Sequence, residues 1–357
     1  MVSVFDITKQ NPLWGHISTG VLSLDHLLAL QREAVLDMQS VPANFAFTAV
    51  ICSLIVSHLS ASSASVVVIV ETLNPFSWSC LQAHPSFDVT WIDSERILLY
   101  SVHSFAQLYA FFTFMPLARR DPGRILMVVT NFHELMELYR LQADVTHKQI
   151  LLKHQIDKNN VFLENFAQVS EEGFQSVECP PEPVCSRDNP SKKVQHQIDE
   201  ILSMISGFTL KNSAVVVLMG HLDVQSRSSG RVEECAHPSL AKHNIFQTAP
   251  VPFHTEDTRL VLVPAMLNPF TSDTPSLADS KVTARVVFYN DWFFKSPLFQ
   301  RENRVRIRHP RFVISVAKVI DFNSNINEPV YFHYKRLPIS GHDSNSSLPD
   351  PWLIDLS

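Results

Sequence analysis

A stretch near the start of the sequence, residues 34–59 (AVLDMQSVPANFAFTAVICSLIVSHL), has the layout of a phosphate-binding loop. An apolar run around Val35 leads into a turn containing Pro42, and the turn opens into a long apolar helix candidate. The phosphate-binding pattern G-x-x-x-x-G-K-[ST] uses bare backbone amides, a lysine and a hydroxyl to hold phosphates and Mg²⁺. A loop in this position serves nucleotide chemistry only if it carries those groups.

The loop lacks each of them. When this pattern is aligned to begin at Ser40, its two glycines, its lysine and its hydroxyl residue correspond to Ser40, Phe45, Ala46 and Phe47. Both glycines that would let the backbone approach a phosphate are replaced. An alanine stands where the lysine is needed, and a phenyl ring stands where the hydroxyl would bind Mg²⁺. We therefore expect no nucleotide cofactor, no metal and no catalytic residue here, and we expect Phe45 and Phe47 to fill the slot and stabilise the fold.

The elements that follow predict an α/β fold. Apolar runs rich in β-branched residues are typical of parallel strands that are covered on both faces, and they alternate with helix candidates. The predicted strands include 66–70, 125–129, 214–219, 260–263, 283–292 and 312–320. The predicted helices include one that starts near Ser104 and one with an apolar face from Val194 to Ile205.

Composition narrows the class of protein further. The chain has 357 residues, of which 45% are hydrophobic and 18% charged, which predicts one large globular domain with insertions. A net charge of -6 argues against a protein that coats nucleic acid through its overall field, so such contacts would need a local basic patch. Five cysteines, an odd number, and a start without a basic segment followed by an apolar one indicate reduced thiols in an intracellular protein. The apolar run 45–59 is shorter than the roughly 20 residues that a membrane-spanning helix needs, so we expect no membrane contact.

Residues 18–28, STGVLSLDHLL, followed by strand, loop and helix, resemble the entry to the ATPase core of the RecA-like recombinase family. That family carries a threonine-glycine, a leucine-aspartate pair and a glycine run, and the glycine run is replaced here by residues 29–31. The strand 283–292 is similar to one in fungal recombinase paralogues, the group that includes the Shu complex subunits. It carries a threonine-x-arginine, Thr283 to Arg285, and ends in Asp291-Trp292.

The resemblance implies a RecA-like core with a mostly parallel central sheet flanked by helices, plus insertions. It also implies two further positions for nucleotide chemistry. Glu71 falls at or near the slot of the family's water-activating glutamate, although a solvated carboxylate at a strand end is the simpler interpretation. The family places an aspartate after the strand 125–129 to hold the Mg²⁺ water shell, and this chain has Thr130. Both nucleotide motifs, Walker A and Walker B, are therefore degenerate, and enzyme activity does not carry over.

What remains of the resemblance predicts a non-catalytic nuclear protein of homologous recombination and DNA repair. It would pair with another RecA-like paralogue, as a heterodimer or in a larger complex, and support a recombinase filament on single-stranded DNA. Two alternatives stay open. One is an ATPase-dead subunit of an Elongator-type assembly in tRNA modification, which residues 18–28 fit nearly as well, and the other is a residual ATPase built around Glu71.

Two segments are candidates for contact with nucleic acid. Arg304, Arg306 and Arg308 alternate with apolar residues, so a strand would present three guanidiniums on one face. That face could equally be the charged outer side of an edge strand. The second segment, 225–258, is a predicted mobile loop that carries Arg227, Arg231 and Lys242 alongside several acidic residues.

The predicted organisation has five parts. These are an N-terminal arm (1–17), a first part of the core (18–140), an insertion that is partly flexible (141–193), a second part of the core (194–320), and a C-terminal extension with a flexible tail (321–357).

Overall fold

The computed structural model describes eleven segments of the chain. They are residues 17–28, 33–114, 125–173, 177–183, 190–228, 246–247, 258–265, 279–293, 312–320, 329–334 and 353–355.

The strands of these segments are numbered in chain order. They are β1 (Val35–Ser40), β2 (Val66–Glu71), β3 (Ile97–Ser101), β4 (Ile125–Val129), β5 (Val215–His221), β6 (Asp223–Ser228), β7 (Phe246–Gln247), β8 (Thr258–Val263), β9 (Ala284–Phe293), β10 (Phe312–Ile320), β11 (Pro329–Tyr334) and β12 (Leu353–Asp355).

The helices are numbered in the same way. They are α1 (Leu22–Leu28), α2 (Phe45–Ala61), α3 (Trp78–Gln82), α4 (Thr90–Asp93), α5 (Phe105–Phe114), α6 (Phe132–Glu164), α7 (Phe166–Glu172) and α8 (Pro190–Asn212), with a short 3-10 helix at Asp279–Lys281.

One large sheet organises the described residues. Its strand order is β12-β11-β10-β9-β1-β5-β4-β2-β3. The six strands from β9 to β3 run parallel to one another. The remaining strands, β10, β11 and β12, are added antiparallel at one end. A second sheet joins β6, β8 and β7. The predicted fold class, α/β with a mostly parallel central sheet flanked by helices, is confirmed.

Helices cover both faces of the central strands. On one face α2 packs on a cluster that contains Leu36 and Met38 of β1. On the other face α5, α6 and α8 pack on a cluster that contains Val35 of β1. Because the side chains of a strand alternate between faces, both faces of β1, β2 and β4 are buried. This is why β2 and β4 are almost continuous apolar runs in the sequence, whereas β1 also buries polar side chains.

Helix α2 is apolar on nearly all sides, and its two ends are held by polar contacts. At the start, the Asn44 side chain accepts a hydrogen bond from the Phe47 amide at 3.2 Å, which is an N-cap. Past the end, the Arg96 guanidinium donates to the Ser62 and Ser65 carbonyls at 2.5 and 3.1 Å, and also to the Leu59 carbonyl. A cation at a helix C-terminus satisfies carbonyls that have no partner within the helix. The helix that starts at the degenerate loop is thus fixed at both ends.

The segment before α1 explains the pattern of residues 18–28. The Asp25 carboxylate accepts hydrogen bonds from the Thr19 amide at 2.7 Å and from the Ser18 and Thr19 hydroxyls at 2.5 and 2.6 Å. Gly20 has a φ of +81°, and a Cβ there would lie 3.1 Å from the Ser53 hydroxyl. A glycine is therefore required at this turn for two reasons, its backbone conformation and the close approach of α2.

Two pieces of the predicted C-terminal extension are strands of the sheet. They are β11 and β12, and Leu353 of β12 is buried. The Asp355 carboxylate accepts a hydrogen bond from the Ser23 amide at 2.7 Å, so the two ends of the described chain meet. No helix among the described residues is both long enough and apolar enough to cross a membrane.

Candidate functional site

A cleft of about 290 Å³ lies at the carboxyl ends of β1, β4 and β5. In open α/β sheets, this is the edge at which ligands bind. The cleft is lined by Ser40, Ala43, Asn44, Phe45, Phe47, Thr48, Asn74, Pro75, Phe76, Ser77, Thr130, Asn131, Met219, Gly220 and His221. The degenerate loop after β1 therefore does border a cleft where the motif that it lacks would act.

The two phenylalanines of the loop have different environments. Phe47 is 6% exposed, and the centroid of its ring lies 5.1 Å from that of Phe288 on β9. Phe45 is 67% exposed at the rim of the cleft. The expectation that both rings fill the slot is therefore wrong for Phe45, whose ring lies mostly in solvent. Ala46, which stands in place of the lysine, is buried and presents no cation to the cleft.

The loop keeps one conformational feature that would suit a glycine. Ala43 has a φ of +59°, in the left-handed region, which costs a residue with a Cβ about 1–2 kcal/mol. The neighbouring Asn44 uses its side-chain oxygen as the N-cap of α2 and leaves its nitrogen Nδ2 buried without a hydrogen-bond partner among the described residues. The chain therefore tolerates a strained turn here.

Polar groups at the strand ends are already engaged with the protein. Thr130, after β4, accepts a hydrogen bond from the Thr72 amide through its hydroxyl at 3.2 Å and from the Thr72 hydroxyl through its carbonyl at 2.6 Å. It thereby ties the end of β4 to the end of β2. Ser40 is 2% exposed and donates its hydroxyl to the Val41 carbonyl at 3.0 Å. Neither hydroxyl is presented as a nucleophile or a metal ligand.

Glu71, at the position predicted for a water-activating glutamate, also forms hydrogen bonds within the protein. One of its oxygens, Oε1, accepts hydrogen bonds from the Phe76 amide at 2.9 Å and from the indole of Trp78 at 3.1 Å. The residue is 9% exposed and orders the turn between β2 and α3. This geometry favours the simpler interpretation, a carboxylate at a strand end, over a catalytic base.

A buried polar network lies beneath the cleft. Asp37, in the middle of β1, accepts a hydrogen bond from Nε of Arg285 on β9 at 2.5 Å, and its other oxygen lies 2.7 Å from Nε2 of His133 on α6. Gln39 donates to Asp37 at about 3 Å and exchanges two hydrogen bonds with the backbone of Ala265. Asp37 and Arg285 are 0% and 1% exposed. The network joins β1, β9, α6 and the segment after β8.

The network fixes the charge of its carboxylate. Burial by itself would raise the pKa of Asp37, but the charges of His133 and Arg285 and their hydrogen bonds outweigh it and hold that pKa far below its usual range. Asp37 therefore stays ionised in the core. Gly220 on β5 makes room for His133, because a Cβ at Gly220 would lie 2.5 Å from the imidazole carbon Cδ2.

A second ion pair lies at the rim of the cleft. Nδ1 of His221, at the end of β5, lies 2.7 Å from Oε1 of Glu134 on α6, which also accepts a hydrogen bond from the His221 amide at 2.5 Å. The hydrogen bond to Glu134 raises the pKa of His221 against the opposing effect of burial. Burial tends to raise the pKa of Glu134, but the hydrogen bond from His221 and other contacts lower it. His221, one member of this pair, lines the cleft.

Most of the predicted nucleic-acid contacts fall outside the described residues. This holds for Arg231, Lys242, Arg304, Arg306 and Arg308. Arg227 lies in β6, where its backbone pairs with that of Arg259 in β8. The predicted mobile loop thus contributes strands to the second sheet at its start and near its end. Within the described segments, no group of three His, Cys, Asp or Glu side chains is placed to hold a metal ion.

The buried network was missed at the level of sequence, although one signal for it was available. An aspartate in the middle of an apolar strand has to find a partner if it is buried. Arg285 belongs to the threonine-x-arginine pattern noted above, and the structure gives that pattern a role. The Thr283 hydroxyl accepts a hydrogen bond from the Val35 amide at 3.0 Å, and the Arg285 guanidinium donates a hydrogen bond to the Asp37 carboxylate. Both residues therefore connect the start of β9 to β1.

Substitution of Phe47 by alanine is expected to lower the free energy of unfolding by about 3–5 kcal/mol, because it empties a packed site beside Phe288. Phe45→Ala is the matched control, and its exposed ring predicts a change within about 0.5 kcal/mol. Urea denaturation of the two variants measures both values. Similar losses at the two positions would contradict the difference in burial between the two rings.

Arg285→Met is expected to cost about 3–5 kcal/mol, because it leaves the Asp37 carboxylate buried without its guanidinium. Adding Asp37→Leu to that variant removes the buried charge, so the double variant should be more stable than Arg285→Met alone. Urea denaturation of the wild type, Asp37→Leu, Arg285→Met and the double variant completes a double-mutant cycle. Losses that simply add would contradict a direct interaction between the two side chains.

The imidazole of His221 is expected to titrate above its usual pKa of 6.5, and Glu134→Gln should bring the midpoint down. NMR titration of the histidine ring protons measures both midpoints. Because the folded pKa of His221 is raised, its contribution to stability is complete below about pH 6.5 and is lost as the pH rises through the folded value. An unchanged midpoint in Glu134→Gln would rule out the pair as the cause.

A scan against models of protein families gives no match, and a search of curated proteins finds none either. Among solved structures, the chain is similar to the crystal structure of the RadB recombinase, with 11% sequence identity and a TM-score of 0.44. That similarity covers 89% of this chain and 96% of the RadB chain.

Proposed function

We propose that the chain is a non-catalytic RecA-like recombinase paralogue. In this proposal it pairs with another paralogue and supports a recombinase filament on single-stranded DNA during homologous recombination and repair, in the nucleus. The proposal rests on the resemblance of residues 18–28 and 283–292 and on the chemistry of the cleft. The fold class alone does not select it, since one fold hosts many functions.

The observation that carries the non-catalytic part of the proposal is the replacement of the nucleotide groups within the cleft. A phosphate-binding loop acts by placing a lysine and a hydroxyl against the phosphates. At those two positions Ala46 and Phe47 are both buried, and Phe47 packs on Phe288. At the end of β4, Thr130 forms hydrogen bonds to Thr72 in place of an aspartate that would serve Mg²⁺. Two separate parts of a nucleotide site are thus used for packing.

The contacts of Glu71 weigh against the residual ATPase. A general base needs to reach a water beside the γ-phosphate. Oε1 of Glu71 instead accepts two hydrogen bonds within its own turn, and Glu71 does not line the cleft.

Equilibrium dialysis with ATP and Mg²⁺, combined with co-purification, tests the proposal. We expect no ATP affinity tighter than roughly 1 mM. Mass spectrometry of proteins that co-purify with the full chain should find RecA-like paralogues or a recombinase. Binding of single-stranded DNA by the resulting complex should weaken steeply as salt is raised.

The possible outcomes separate the competing functions. Tighter ATP binding that requires Mg²⁺ would overturn the non-catalytic part. Elongator subunits in place of recombinase paralogues would overturn the recombination part and leave the non-catalytic part intact. A purified complex that does not bind single-stranded DNA at low salt would contradict a direct role on DNA.

A further inference from the structure

Two cysteines lie about one helical turn away from the cleft, on two different helices. Cys52 follows Thr48 in α2, and Cys80 follows Ser77 in α3. Thr48 and Ser77 both line the cleft. Helix α2 begins at the loop after β1, whereas α3 continues from the segment 74–77, which follows β2. The two cysteines therefore belong to two separate stretches of chain that border the same cleft.

The two helices pack together, and their thiols are in contact. Helices α2 and α3 contact each other, and Cys52 belongs to the apolar cluster on which the partly buried Cys80 packs. The Cys52 thiol donates a hydrogen bond to the sulfur of Cys80. Both residues are free cysteines. A disulfide requires two sulfurs side by side, and this pair meets that requirement before any oxidation takes place.

The two thiols differ in their access to solvent and in their acidity. Cys52 is 0% exposed, whereas Cys80 is partly exposed. The hydrogen bond from Cys52 lowers the pKa of Cys80 against the opposing effect of burial, and the same hydrogen bond, together with burial, raises the pKa of Cys52. The thiolate is the nucleophilic form of a cysteine. Cys80 is therefore the thiol that a dissolved oxidant meets first, and Cys52 is the thiol beside it.

We propose that Cys52 and Cys80 form an oxidation site, at which hydrogen peroxide converts the two thiols to a disulfide that links α2 to α3. In the first step, the Cys80 thiolate attacks one oxygen of the peroxide, the O–O bond breaks, and the hydroxide that leaves takes up a proton from solvent. In the second step, Cys52 attacks the sulfenic acid sulfur of Cys80, the S–O bond breaks, and the hydroxyl group leaves as water with the Cys52 proton. The two thiols lose two electrons, and the peroxide becomes two waters.

The new bond acts on the border of the cleft. The segment 74–77 is held in the reduced protein by non-covalent contacts, among them the hydrogen bond from the Phe76 amide to Glu71. A covalent link from Cys80 to α2 adds a constraint directly after this segment, and it also restricts the unfolded chain between the two cysteines. Oxidation should therefore slow amide hydrogen exchange in residues 74–77 and raise the midpoint of urea denaturation. The site does not depend on the proposed function.

Peptide mapping of the full chain after treatment with hydrogen peroxide tests the proposal. Trypsin is unsuitable, because the chain has no lysine or arginine between the two cysteines. Cleavage after glutamate separates them at Glu71, into the peptides 34–71 and 72–95, neither of which contains another cysteine. Mass spectrometry of the wild type should find these two peptides joined by a disulfide, and dithiothreitol should separate them.

Cys52→Ala separates the roles of the two thiols. It removes the second thiol, so the sulfenic acid at Cys80 should persist, and trapping by dimedone at Cys80 should rise roughly fivefold or more above the wild type. Cys179→Ala is the matched control, because Cys179 is also a partly exposed free cysteine and its thiol contacts the Val177 carbonyl at 3.7 Å. This control should leave the yield of the linked peptides unchanged.

Three results would overturn the proposal. The first is a wild type in which peroxide produces no link between the peptides 34–71 and 72–95, a result that requires no variant to fold. The second is equal trapping by dimedone at Cys80 in the wild type and in Cys52→Ala, which would remove Cys52 from the second step. The third is a link that disappears in Cys179→Ala, which would show that the disulfide reaches Cys52 and Cys80 by exchange from elsewhere.

Discussion

A carboxylate and a guanidinium that are fully removed from water hold the centre of this protein together. Asp37 lies in β1 and Arg285 in β9, and their ion pair links the strand before the degenerate loop to the strand on its other side. Desolvation makes such a pair costly to form, and removing one partner costs more than the pair itself contributes. The surrounding groups, His133 and Gln39, reduce that cost by supplying further hydrogen bonds to the carboxylate. The register of β1 against β9 and the position of α6 both follow from this arrangement.

The cleft above the network is bordered by a strand–loop–helix frame, made of β1, residues 41–44 and α2. The frame persists because strand, loop and helix are fixed by packing: α2 is apolar on nearly every side, and Asn44 caps its start. The positions that would serve a nucleotide have taken on local structural roles. Phe47 packs on β9, Thr130 binds the end of β2, and Glu71 orders a turn. Each of these side chains is thus engaged in contacts within the protein.

The parts of the molecule with room for interaction lie away from this centre. His221 and Glu134 form a partly buried ion pair at the rim of the cleft, with 41% and 28% of their side chains exposed. The long α6 begins at that rim, contributes His133 to the buried network, and then carries apolar side chains beyond the core. One helix therefore joins the rigid centre to a surface that faces outward. In this sense the buried network also sets the direction in which that surface is presented.

The sequence by itself determined the class of the fold and the residue types at the loop after β1. Runs such as 66–70 and 125–129 are apolar throughout, as expected for strands whose side chains are buried on both faces. The bounds of β2 and β4 were therefore predicted within one residue. The loop positions 40 and 45–47 could be read directly, because the chemistry of a phosphate site depends on residue type. Only the tertiary structure decided that Phe47 is packed while Phe45 is exposed, and that Asp37 meets His133 and Arg285, which lie 96 and 248 residues away along the chain. The physical reason is that residue type and local periodicity set the strands and helices, whereas the direction of a side chain and its distant partners depend on how those elements pack together.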